Sequence, residues 1–113
     1  MKIITEVITN EELKQMASSL FVEMIKAVVD IEREVIAVDA ELHSDLEALL
    51  IENGSKQKDL WGINFYPEIY GEGFVEFDSM INVRPSQGNR SRSVTNEKTR
   101  ERILAVASMR VKR

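Results

Sequence analysis

At 113 residues and a net charge of −4, the chain has the length of one domain and can bury a single core without cross-links. It contains no cysteine, which excludes disulfides, thiolate-bound zinc and a cysteine nucleophile. The charge is uneven: residues 1–83 carry six basic and seventeen acidic side chains, residues 84–113 nine basic and two acidic, so a body of −11 precedes a segment of +7.

Taken in chain order, Ile3–Val7 reads as a short strand. Glu6, Glu11 and Glu12 interrupt the apolar stretch a signal peptide would need, and no run reaches the roughly 18 apolar residues of a membrane span. The expectation is a cytoplasmic protein with no membrane partner. Thr9 and Glu12 have capping-box spacing and Ile8 and Leu13 staple spacing; Leu13, Met16, Ala17, Leu20 and Met24 follow the helical period. Residues 25–38 are rich in β-branched side chains around a charged IERE stretch, which predicts a hairpin turning near Glu32 and Arg33.

Residues 41–52, ELHSDLEALLIE, fit two periods. As a helix, Leu42, Leu46, Leu49 and Leu50 form a stripe capped by Gly54. As a strand, Leu42, Leu46, Ala48 and Leu50 face inward and Glu41, His43, Asp45 and Glu47 outward. Leucine and alanine favour the helix, but the clean parity of the polar residues tips the reading to the strand.

In WGINFYP, Trp61, Ile63 and Phe65 alternate with Asn64 and Tyr66, and Pro67 marks an edge. Residues 74–83 alternate again, placing Val75, Phe77, Ile81 and Val83 on one face and Glu76, Asp78, Asn82 and Arg84 on the other. The last segment reads as a helix capped by Thr95 or Asn96, with Ile103, Leu104, Ala107 and Val111 as its apolar stripe and cations in its final turn. The predicted fold is α+β: one antiparallel sheet of four or five strands, with an N-terminal and a C-terminal helix on one face.

Several stretches in series, MIKAVVDIEREVIAV, ELHSDLEALL, GSKQKDLWGINFYP and FDSMINVRPSQGNRSRSV, resemble a family of short bacterial and archaeal proteins known only as a domain of unknown function. The resemblance runs from about residue 23 to the last helix and is most specific in LWGIN and INVRPSQGNRS. Where that pattern leads one to expect glycines, this chain has Val38-Asp39-Ala40. The resemblance implies a single domain and carries no activity.

Three groups of residues could carry chemistry. Arg84, Arg90 and Arg92 gather around Gly88 and Asn89, beside a helix start whose amides point outward; guanidinium forks and free N–H groups suit phosphate or carboxylate. The plainer reading has Arg84 and Arg90 pairing with the chain's own carboxylates, such as Asp78, while Asn89 holds the turn. His43, Asp45 and Glu47 would share a strand face and offer an imidazole beside carboxylates, a weak divalent-metal or general-base set; the plainer reading is a solvated polar face. Asn64, Tyr66 and Asn82 would line a polar sheet face that suits a small polar ligand or a two-fold interface.

Two functional readings follow. In one, the chain is a small interaction domain that self-associates or meets another protein through its polar face and arginine loop. In the other it binds a phosphate-bearing ligand, nucleic acid included, and a metal at His43 would make it a hydrolase. Nothing in the sequence demands catalysis, which favours the first.

Overall fold

The computed structural model describes residues 1–20 and 22–113. Its main sheet has five strands, all antiparallel: β1 (Lys2–Ile4), β3 (Ile25–Asp30), β4 (Val35–Val38), β5 (Leu60–Phe65) and β6 (Val75–Glu76), in the order β1-β4-β3-β5-β6. Two shorter strands, β2 (Ile8–Thr9) and β7 (Val111–Lys112), pair in parallel beside it. Three helices complete the fold: α1 (Asn10–Ser19), α2 (His43–Glu52) and α3 (Glu97–Arg110).

Local chemistry accounts for the helix ends. Thr9 caps α1, its hydroxyl accepting the Glu12 N–H at 3.2 Å and donating to the Glu12 carboxylate. Asn96 caps α3 by accepting the Thr99 N–H at 3.0 Å. At the end of α2, Ser55 N–H donates to Leu50 O and Gly54 N–H to Ile51 O, a Schellman closure that needs the left-handed φ of +99° at Gly54. That closure and α2 itself correct the strand reading of residues 41–52.

The reason lies in the sheet. Both its faces are buried. On one face Ile25, Ala27, Val29, Ile36, Val38, Ile63 and Phe65 pack under Leu13 and Ala17 of α1 and Ile103, Val106 and Ala107 of α3. On the other, Val28, Val35, Ala37 and Leu60 pack under Leu46 and Leu50 of α2. Complete burial of such a side chain is worth roughly 1.5–3 kcal/mol, so the second face requires a cover that a further strand in the same sheet could not give. The hairpin of β3 and β4 turns through Ile31–Glu34, where buried Asp30 accepts the Glu32 and Arg33 N–H groups at 2.9 Å each and Glu34 takes a φ of +57°.

The predicted strand over residues 74–83 is also corrected. Val75 and Phe77 pack toward α1 and α3, but pairing stops at Glu76 and the chain turns through a 3₁₀ turn at Met80–Asn82. Ile81 consequently packs on the α2 side, Val83 is exposed, and Asn82 is completely buried. β6 therefore covers only Asn64 and Phe65, leaving Leu60–Ile63 of β5 without a strand on their outer edge.

Side chains fill that edge. Asn82 accepts the Gly62 N–H at 2.8 Å and donates to the Gly62 carbonyl at 2.9 Å, as a paired backbone would. Arg84 donates to Leu60 O, and to Gln57 O at 2.6 Å. A Cβ at Gly62 would lie 2.5 Å from Ser79 Cβ, so only glycine admits this close approach. The Gly62→Ala variant should lose about 1–3 kcal/mol of stability, as overpacked cores do, seen as a lower urea midpoint at unchanged slope; an unshifted midpoint would show that Ser79 yields freely.

Candidate functional site

The short reach of β6 opens a cleft of about 480 Å³ on the α2 side of the sheet, between the start of α2 and the turn that follows β6. Its floor is a row across three strands. Asn64 of β5 lies between Lys26 of β3 and Glu76 of β6. The Asn64 side-chain amide donates to Glu76 Oε1 at 2.8 Å and to the Asp78 carbonyl at 3.1 Å. Both neighbours are acceptors, so the amide nitrogen must face them. Its buried oxygen is left without a hydrogen-bond partner among the described residues.

Tyr66 donates its phenolic proton to the same Glu76 oxygen at 3.2 Å. Burial chiefly, and then the Glu76 charge, hold the Tyr66 hydroxyl above its ordinary range, so it remains a donor at neutral pH. At the mouth, Arg92 forks onto Asp78, with Nε–Oδ1 at 2.9 Å and Nη2–Oδ2 at 3.3 Å. That pair is about half exposed and contributes at most about 1 kcal/mol.

His43 opens α2 and its Nε2 lies 2.8 Å from the Ile63 carbonyl. Burial draws its pKa below 6.5, with Lys26 and Arg92 adding to that effect and the Ile63 bond and Asp78 opposing it. The ring is then neutral near pH 7, Nε2–H donates to Ile63, and Nδ1 is left as an acceptor. Exposed Leu42 and Met80 border the cleft.

The structure thus brings together His43, Asn64, Tyr66 and Arg92 of the residues singled out in the sequence. Glu76 and Asp78 join them; their outward parity was visible, but their role as the cleft's anchors depends on where β6 ends. The other candidates lie elsewhere. Asn82 clasps Gly62. Arg84 is buried against the Trp61 ring, 4.2 Å from its centroid, with its donors on Gln57, Leu60 and Gln87. Burial lowers its pKa from the ordinary arginine value, and Glu47 opposes that shift.

Asn89 is a second clasp. Its amide nitrogen reaches the Asn82, Ser91 and Ser93 carbonyls at 2.7–2.9 Å, and its oxygen accepts the Thr95 N–H and hydroxyl. Arg90 is exposed, and it is Arg92 rather than Arg84 or Arg90 that meets Asp78. Of the proposed metal set, the helical turn leaves Asp45 exposed and Glu47 half-buried, and no group of three or more His, Asp or Glu among the described residues is placed to hold a metal ion.

Residues 2–110 match the family model described as Protein of unknown function (DUF5674). The chain belongs to this family. Neither a curated protein nor a solved structure matches it. No helix among the described residues is long and apolar enough to cross a membrane.

What the DUF5674 chain presents in this cleft is a set of acceptors fixed in advance: the Glu76 carboxylate held by two donors, the Asp78 carboxylate held by one fork, and the His43 ring. Because His43 is the sole histidine, one imidazole signal reports on the site. Its NMR titration should have a midpoint below 6.5. By linkage, its contribution to stability is complete above the unfolded value near 6.5 and is lost as pH falls through the folded value. The wild-type melting temperature should therefore fall across that window more than that of His43→Gln. A midpoint at or above 6.5 would contradict the burial described.

Proposed function

We propose that this chain is a small protein-interaction domain that takes a cationic or amide-bearing group of its partner in the cleft, and that a second copy is the partner its charge favours. The observation that supports this most is Glu76: exposed at the surface, oriented by Asn64 and Tyr66, and without a cation partner among the described residues. A carboxylate oriented in advance loses little rotamer freedom on binding, so more of the interaction energy is retained.

Two further features support a protein partner. Leu42 and Met80 stand 54% and 65% exposed beside the polar floor, which gives apolar surface next to a directional acceptor. The basic segment after residue 83 also makes few internal ion pairs: only Arg92 and Arg102 meet carboxylates, of Asp78 and Glu32, across all the described residues. Arg84, Arg100, Arg110 and Arg113 donate to backbone carbonyls instead. An acidic body and a basic segment that leave each other largely unpaired complement each other between copies.

Sedimentation velocity across a concentration series tests this. The weight-average mass should rise with concentration at low salt and rise less in 0.5 M salt. Glu76→Gln and Met80→Ser, both at exposed positions, should each weaken self-association by roughly tenfold, the first by losing a charge-assisted contact of about 1.5 kcal/mol and the second by losing buried apolar surface of similar worth. A monomer at every concentration and salt would remove the second copy as partner, and an association untouched by both variants would place the interface elsewhere.

A further inference from the structure

A second cleft, of about 730 Å³, lies on the opposite face of the sheet edge, between the segment Tyr70–Phe77 and α3. Alternation along β6 separates the two sites: Glu76 points to the first and Val75, with Phe77 beyond it, to the second. One wall of the second cleft is aromatic and aliphatic. The other is a single face of α3 carrying Arg100, Leu104 and Ala107, continued by Val111 and Arg113.

Leu104 falls in the apolar stripe of α3 yet is 44% exposed, because none of the described residues covers it; Tyr70 on the facing wall is 69% exposed. An arginine stands at each end. The Arg113 guanidinium lies 3.7 Å from the Phe74 ring centroid and 4.3 Å from that of Tyr70, and Arg100 lies 4.6 Å from that of Phe77. Arg100 and Val111 lie eleven positions apart, along α3 to its end, so the cleft is roughly 16 Å long.

Each arginine has part of its fork in use. Arg113 Nη2 donates to the Ile69 carbonyl at 2.8 Å and to that of Pro67 at 3.3 Å. Arg100 donates from Nε to Val94 O and from Nη2 to Ser93 Oγ at 2.7 Å. These contacts hold both groups against the aromatic faces and, among the described residues, leave Nε and Nη1 of Arg113 and Nη1 of Arg100 without a hydrogen-bond acceptor. Neither forms a salt bridge among the described residues, and Glu72, the one carboxylate on the cleft, is paired with neither. A volume of this size, apolar walls and a few fixed cations are the features of a small-molecule site.

We propose that this second cleft binds an amphipathic carboxylate, its apolar chain lying along Leu104, Val75 and Phe77 and its anionic head on Arg113. Aromatic stacking places each guanidinium flat, and the N–H groups of Arg113 not held by carbonyls then donate to the carboxylate. A neutral ligand of the same length would gain the apolar contact without the fork.

Isothermal titration with decanoate, kept below its micellar range, tests the proposal on the full chain against decanol and acetate. Decanoate should bind at one site, decanol at least about tenfold more weakly for want of hydrogen bonds to a charged group, and acetate not measurably. Leu104→Trp, which fills the cleft from an exposed position, should abolish decanoate binding while circular dichroism stays as in the wild type. Arg113→Met should weaken decanoate and leave decanol unchanged. The proposal is overturned if decanol binds as well as decanoate, if Leu104→Trp still binds decanoate, or if no decanoate binding is detected.

Discussion

One side-chain amide replaces a strand in this fold. Asn82 offers the outer edge of β5 an N–H and a carbonyl oxygen at the spacing of a peptide group, and Gly62 accepts both because it has no side chain to hold Ser79 away. A buried peptide group left unpaired costs about 1–3 kcal/mol. The contact therefore satisfies two backbone groups and at the same time fixes where the chain after β6 runs. Asn89 then ties Asn82 to Thr95, and Arg84 bridges to Leu60 and Gln57. The segment from Ser79 to Thr95 has little regular structure beyond two 3₁₀ turns, and these few bonds anchor it to β5 and to itself.

Both clefts follow from that arrangement. Had β6 continued beside β5 to Leu60, its side chains would have covered Asn64 and His43 from the side, and the chain would have reached α3 by a different path. Because pairing ends after two residues, Glu76 and Asp78 remain at the rim of an open polar cleft, and Val75 and Phe77 border an open apolar one. The arginines take part twice over. Those that face carbonyls stabilise loops, and since a carbonyl carries no net charge, their positive charge stays available to an anion. This is the physical answer to the uneven charge along the chain: folding uses the geometry of the basic side chains and leaves most of their charge unneutralised.

Much of the fold was legible because its signals are local. The Thr9 box, the β-branched hairpin and the alternation of Trp61, Ile63 and Phe65 each depend on neighbours within a few residues. Helix α2 was misread for a definable reason: strand and helix periods both place Leu46 and Leu50 inside, so those leucines could not decide. The signal that could have decided lay in β3 and β4. AVV and VIAV are apolar on both parities, the mark of a strand buried on two faces, and a sheet buried on two faces needs a helix on the second. At Asp39, where the resemblance led one to expect glycine, the chain does adopt a left-handed φ of +74°, a conformation that aspartate tolerates better than most residues. The site was less legible. Asn82 and Arg84 read as polar surface, but they bond Gly62, Leu60 and Gln57, backbone groups distant in sequence, and no periodicity reports such bonds, whereas Asn89 holds its own turn through near neighbours. Leu104 reads as core, and only the folded chain shows that it is 44% exposed.

The central claim is that the Asn82 amide serves as the missing strand, and amide hydrogen exchange at Gly62 tests it most directly. In the wild type the Gly62 N–H should be protected as strongly as the amides of β3. In Asn82→Ala its protection should fall by about tenfold or more, the value of one net hydrogen bond, while β3 amides on the far side of β5 change much less. A Gly62 amide that exchanges as fast as a loop in the wild type, or that is indifferent to the substitution, would contradict the account.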